Sequence, residues 1–148
     1  MKEKEIKVLK VEPCKKPESV TLTNRLEDLQ VAVSIGADYT GLIEIVDIDS
    51  KTCILCNEEG KLIGLQPNRI FGNDILCGVF YVCGQDKCGN LTSLKEDAVK
   101  HYTEVFAEYS YISPDDVANT IVAKFLNLED LLWYISWVQC LTLCRYPR

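Results

Sequence analysis

A segment predicted to be a polar loop, Pro67-Asn68-Arg69, holds the side chains best suited to bind a small molecule. Leu65 precedes it and Ile70-Phe71 follows it, and polar positions set in apolar surroundings often serve binding. The guanidinium of Arg69 can make two parallel hydrogen bonds to a phosphate, and the amide of Asn68 can read the edge of a base. These residue types predict capture of a small anion. The alternative for Arg69 is an ordinary salt bridge to one of the chain's acids.

Neighbouring residues extend this candidate site. Lys61 lies on the predicted hairpin before the segment, and Tyr39 or Tyr81 can stack on a base. The predicted ligand-binding set is Lys61, Gln66, Asn68, Arg69, Tyr39 and Tyr81.

Two cysteine pairs invite a zinc interpretation. Cys53-x-x-Cys56 and Cys83-x4-Cys88 supply two close pairs of thiolates, which tetrahedral zinc prefers. The first pair falls in a predicted strand, where positions three apart point to opposite faces. We therefore predict no bound metal and no cofactor, and we keep a small structural-zinc protein as a second alternative.

The sequence gives less support to a catalytic site than to a binding site. His101 is the single histidine of the chain, and no motif that orients a base surrounds its candidate partners Cys14, Cys77 and Cys88. Paired acids stand in a turn or at predicted helix starts, where local structure explains them. No glycine-rich phosphate-binding motif is present, so we predict that the protein is not an enzyme.

Composition and net charge limit the classes of protein to which the chain can belong. The chain has 148 residues, 47% of them hydrophobic, with a formal net charge of −6 and a pI near 4.8. This acidity argues against a nucleic-acid polymer as partner, because such partners are bound by neutralising their phosphates. The start of the chain, Met1 to Glu5, is charged and no secretory signal follows. We therefore expect a cytoplasmic protein whose eight cysteines are mostly reduced thiols.

Strands come first along the chain and helices follow. Alternating or continuous apolar runs predict strands at residues 6–11, 19–23, 42–48, 52–57, 61–64 and 75–83. Helix starts are predicted at Asn24, Ser93 and Ser113, each followed three residues later by an acid. We expect an α+β fold, with a mostly antiparallel sheet of about five to six strands followed by two to three C-terminal helices packed on it.

The last predicted helix, 128–144, is apolar on nearly every side. Its apolar run of about 14 residues is short for a bilayer, so we expect no membrane association. Such a helix is expected to be buried, either on the sheet or in a homo-oligomer interface formed through Trp133, Trp137 and their neighbours. We accordingly divide the chain into an α+β domain, 1–110, and a helical extension, 111–148, which packs on the same core or at a subunit interface.

From residue 6 to about 108 the chain resembles a family known only as a domain of unknown function. Its members are small proteins and domains of phages, prophages and conjugative elements of anaerobic Gram-positive bacteria. The matching stretches are Ile6 to Pro13, Lys16-Pro17, Asn57 to Leu62, Pro67-Asn68-Arg69, Asp74 to Phe80 and the helical segment after Ser93.

The resemblance implies an accessory gene of a mobile element that acts in the cytoplasm of a host cell. Small accessory proteins of this kind often counter host defence by blocking a host protein or by sequestering a nucleotide signal. We therefore predict a non-enzymatic binding protein that sequesters a small anionic, nucleotide-like signal. The alternative is a protein-interaction module that blocks a host protein through an acidic surface.

Overall fold

The computed structural model describes residues 4–123. Within them, eight strands and three helices follow one another along the chain. They are β1 (Glu5–Val11), β2 (Glu18–Thr23), α1 (Leu26–Val33), β3 (Ile43–Asp47), β4 (Thr52–Asn57), β5 (Pro67–Phe71), β6 (Asp74–Cys77), β7 (Phe80–Gln85), β8 (Leu91–Thr92), α2 (Glu96–Val105) and α3 (Pro114–Ala123).

The main sheet is antiparallel, with the strand order β2-β1-β7-β4-β3, and β8 pairs with the end of β7. Its central strands β4 and β7 are buried almost throughout, which explains why both read as continuous apolar runs. A separate two-stranded sheet joins β5 to β6. The predicted α+β class with a mostly antiparallel sheet is confirmed.

The sheet buries both of its faces. Along β1, Ile6 and Val8 point to one face, where α1 packs with Leu29 and Val33. Leu9 and Val11 point to the other face, where Tyr102 and Phe106 of α2 pack. Because successive side chains of a strand point to opposite faces, β1 contributes residues to the hydrophobic cores on both sides of the sheet.

Three local predictions were wrong. Residues 61–64 form turns and not a strand, and the supposed 67–69 loop lies in β5, with a bulge between Pro67 and Arg69. The predicted strand 75–83 is two strands, β6 and β7. The chain breaks at Gly78, where φ is +82° and a Cβ atom would lie 2.7 Å from Leu65 Cδ1.

Helix starts agree with the capping predictions in one case of three. Asn24 donates its side-chain amide to Leu91 O, and α1 begins after Arg25. The hydroxyl of Ser93 accepts the backbone N–H of Lys7, and α2 begins after Lys95. The N-cap residues of these two helices are thus Arg25 and Lys95, one and two residues after the predicted starts. Ser113, by contrast, exchanges reciprocal hydrogen bonds with Asp116, so the third cap is confirmed.

The chain divides into two compact units, Met1–Ile112 and Ser113–Arg148, and α3 is the described part of the second. The predicted helix 128–144, with Trp133 and Trp137, lies outside the described residues. Its packing on the sheet or in an oligomer interface therefore stays a prediction. Among residues 4–123, no helix combines the length and the hydrophobicity that spanning a membrane requires.

Candidate functional site

The predicted binding residues Asn68 and Arg69 lie in the interior. Strand β5 carries both, and their side chains are buried, with 2% and 4% of the residue surface exposed. Their burial follows from the bulge after Pro67, which interrupts the alternation of the strand and lets two consecutive residues turn inward.

The guanidinium of Arg69 links three separate segments of the chain. Its Nε and Nη2 donate to the carbonyl of Phe106, at 3.1 and 3.0 Å. Its Nη2 also donates to the carbonyl of Lys15 at 2.6 Å. Its Nη1 donates to the main-chain and side-chain oxygens of Asn68, at 3.2 and 2.8 Å. A guanidinium has five N–H groups, so these five hydrogen bonds use all of them.

Every acceptor around this guanidinium is neutral. Phe106 caps the end of α2, where carbonyls without helical partners carry partial negative charge that favours a cation. The ring of Tyr109 lies 5.1 Å from Arg69 Cζ and adds a cation–π contact. Burial lowers the pKa of Arg69 from its ordinary value, but an arginine keeps its proton at neutral pH. The contacts are those of a structural cross-link between β5, the β1–β2 loop and α2.

Asn68 completes this cross-link. Its amide nitrogen donates to the carbonyls of Val11 and Gly78, both at 2.8 Å, while its Oδ1 accepts from Arg69. The amide therefore joins the end of β1 to the segment between β6 and β7. Both amide hydrogens are used, so the buried Asn68 side chain has no donor left to read the edge of a base.

The other four predicted residues lie in different surroundings. Lys61 forms an ion pair with Asp74, and the hydroxyl of Tyr39 donates to Glu59 at 2.8 Å. Gln66 is exposed at a cavity of about 380 Å³, whereas Asn68 and Arg69 border another of about 140 Å³.

Tyr81 lies in the core beneath α1, where its hydroxyl donates to Ala32 O at 3.0 Å and burial raises its pKa to about 12. The structure thus brings Asn68 and Arg69 together. That all six residues form one binding site stays a prediction.

The cysteine pairs do not converge. Cys53 belongs to the core under α1 and Cys56 to the core under α2, so the two thiols point to opposite faces of β4. Cys83 lies opposite Cys53 in the sheet, and Cys88 is exposed. Among residues 4–123, no group of three or more histidine, cysteine, aspartate or glutamate side chains is placed to hold a metal ion.

A larger cavity, of about 850 Å³, lies at the other end of the strands. The register brings Thr52 opposite Gly84 and Gly84 opposite Thr92, so the ends of β4, β7 and β8 meet there. The first turns of α2 form the remaining wall. The 61–71 segment lies beyond the opposite end of β4. We call the larger cavity, with its lining from 49–52, 84–87 and 92–102, the sheet-end cavity.

Charged side chains of both signs line the sheet-end cavity. Lys51, Lys87 and Lys95 are exposed, and none of them forms a salt bridge with another described residue. Three ammonium groups at one opening, none of them paired with a described carboxylate, distinguish this cavity from the two beside the 61–71 segment. In the 380 Å³ cavity, Glu12 already pairs with Lys15.

The aspartates of the sheet-end cavity accept hydrogen bonds from residues close to them in the sequence. Asp49 accepts the backbone N–H of Lys51 at 2.8 Å, and Asp97 accepts that of Ala98 at 3.0 Å. Asp86 accepts from the backbone and the side chain of Asn90, and these hydrogen bonds lower the pKa of its carboxyl group. The three aspartates therefore accept hydrogen bonds from nearby residues, whereas none of the three lysines forms a salt bridge with a described carboxylate.

Aromatic and amide groups complete the wall. His101 lies against Tyr102 with ring centroids 4.8 Å apart, and both line the cavity. The amide of Gln85 donates to Asp47 Oδ1 and to Asp49 O, which ties the β3–β4 turn to β7. The volume lies in the range of small-molecule sites, and the lining is more polar than that of most such sites. Sequence reasoning missed this site because its lining comes from three separate segments.

Comparison with known proteins gives a family. A family model described as a domain of unknown function (DUF3846) matches residues 6–107. The chain belongs to this family. The DUF3846 match runs from β1 to the end of α2, so it contains both the Asn68–Arg69 cross-link and the sheet-end cavity. The comparisons with curated proteins and with solved structures gave no match.

Proposed function

We propose that this protein is a non-enzymatic binding protein that sequesters a small anionic, nucleotide-like ligand in its sheet-end cavity. The observation that carries the proposal is the group of three lysines around that opening, none of which is paired with a described carboxylate. A volume of about 850 Å³ suits a ligand of nucleotide size. Lysine ammonium groups bind phosphate as point charges.

The aromatic side of the cavity supports the nucleotide-like part of the proposal. Tyr102 is buried and holds the exposed His101 ring in an edge-to-face contact, so the ring of His101 offers a surface on which a base can stack. The hydroxyl groups of Ser50, Thr52 and Thr92 add donors and acceptors for a ribose. Lys51 and Lys87 then contact the phosphate from the loops at the strand ends, while His101 contacts the base from α2.

The biological setting is part of the same proposal. We propose an accessory protein of a phage or mobile element of an anaerobic Gram-positive bacterium, acting in the host cytoplasm to counter defence. The sequence resemblance to such proteins supports this setting.

Thermal unfolding with a panel of cyclic and linear nucleotides tests the proposal. A ligand that binds only the folded state stabilises it by about 2.7 kcal/mol at 100 times its dissociation constant. Lys87→Gln and Lys95→Gln should each weaken binding of the responding nucleotide by about tenfold, since each loses a charge-assisted hydrogen bond. Lys16→Gln, an exposed lysine outside the cavity, is the matched control. A panel without any shift, or an equal response in all three variants, would refute the proposal.

A further inference from the structure

The outer edge of β2 carries backbone groups that no described strand pairs. Among the strands of residues 4–123, β2 is the last of the main sheet on its side and pairs only with β1. Its six residues, Glu18–Thr23, contain no proline, no lysine and no bulge. Natural sheets usually protect an edge with one of these features, so an unprotected edge invites another strand.

The register identifies which residues face outward. Lys7 directs its N–H to Ser93 Oγ at 3.0 Å, and its carbonyl accepts the N–H of Leu94 at 2.8 Å. Both groups therefore point away from β2. Thr21 lies opposite Lys7, and opposite residues of an antiparallel pair share this orientation. The N–H and C=O of Thr21, and those of Ser19 two residues earlier, consequently point to the free edge.

A groove of about 500 Å³ runs beside this edge, between β2 and α2. Ser19 and Thr21 form part of its floor, and Lys7 and Lys100 are its two cationic side chains. Neither lysine forms a salt bridge with another described residue, and Glu96 is the single acid in the lining. The groove is thus cationic on a protein whose overall charge is −6.

We propose that β2 binds an extended acidic peptide segment of a partner protein, which adds as a further antiparallel or parallel strand. The peptide backbone pairs with Ser19 and Thr21, and its alternate acidic side chains reach over the groove to Lys7 and Lys100. A second copy of this chain fits less well. Its own β2 would bring mainly hydroxyl groups, and the groove beside that strand would add a second pair of lysines, Lys7 and Lys100, where carboxylates are needed.

A fluorescein-labelled peptide of alternating glutamate and valine is the direct probe, with a lysine–valine peptide as its charge control. Fluorescence anisotropy should detect binding of the acidic peptide, weakening as salt is added. Lys7→Gln and Lys100→Gln should each raise Kd by about threefold, as expected for exposed ion pairs. Lys16→Gln lies outside the groove and should leave Kd unchanged.

Backbone pairing needs its own readout. Thr21→Pro removes one outward N–H without removing a hydrogen bond to β1, so it should abolish binding while Thr21→Val retains it. Amide hydrogen exchange at Ser19 and Thr21 should slow on peptide addition. If Thr21→Pro fails to fold, the Kd values of the lysine variants and the amide exchange at Ser19 and Thr21 still test the proposal.

Equal binding of both peptides, or unchanged exchange at Ser19 and Thr21, would overturn the proposal. Protection of these amides that rises with protein concentration alone would assign the edge to a second copy and also overturn it.

Discussion

Replacement of Arg69 tests whether this residue is the structural cross-link that its contacts indicate. Arg69→Ala removes five hydrogen bonds and leaves buried acceptors at Phe106 and Asn68 without their donor. Hydrogen bonds to a charged group contribute about 1.5–3 kcal/mol each, so counting one such bond for each of the two buried acceptor residues gives a loss of about 3–6 kcal/mol. The remaining acceptor, Lys15 O, belongs to an exposed residue, where water can replace the guanidinium.

Urea unfolding followed by far-UV circular dichroism measures this loss. With an m value near 2 kcal/mol/M, the midpoint should fall by about 1.5–3 M. Arg69→Lys should recover little, because one ammonium group cannot reach Phe106, Lys15 and Asn68 together. Arg25→Ala is the matched control, since Arg25 is 69% exposed and makes one 3.8 Å pair with Asp28. If Arg69→Ala lowered the free energy of unfolding by less than about 1 kcal/mol, the reasoning would be refuted, because removing a buried charged group whose donors are all used destabilises a protein by more than that.

Two further predictions concern the backbone and the buried thiols. Gly78→Ala should lower the free energy of unfolding by about 1–3 kcal/mol more than Gly72→Ala. Both glycines have positive φ, but only at Gly78 would a Cβ lie 2.7 Å from Leu65 Cδ1. Equal losses of unfolding free energy in the two variants would show that the Leu65 side chain moves aside at no energetic cost. Burial raises the pKa of the Cys53 thiol to about 11, so its contribution to stability is complete below the ordinary thiol pKa and is lost as pH rises toward 11. Urea midpoints between pH 8 and 10.5 should fall more steeply in the wild type than in Cys53→Ala, and parallel slopes would contradict this.

Much of the sheet could be predicted from local pattern. The alternation in β1 and the apolar run of β4 specify strands because one or both of their faces are buried. The 75–83 run could not be resolved into β6 and β7 by hydrophobicity alone. Its break is conformational, since the positive φ of Gly78 and its approach to Leu65 depend on the turn at 58–64.

The structural role of Arg69 also could not be predicted from the local sequence, because its partners are far away along the chain. Its acceptors lie 54 residues earlier at Lys15 and 37 residues later at Phe106, so its sequence neighbours do not reveal its burial. The same polar residue types serve a ligand site and an interior cross-link equally well. Bulge geometry after Pro67, which turns two consecutive side chains inward, decides between them.

Mapping a ligand-bound site by amide chemical shifts tests the central claim most directly. The measurement is a titration of isotopically labelled protein with the nucleotide that gives the largest thermal shift. Binding in the sheet-end cavity predicts that the largest shifts cluster at 49–52, 84–87 and 92–102. Shifts centred on residues 61–71, or no shifts with any nucleotide, would contradict the account.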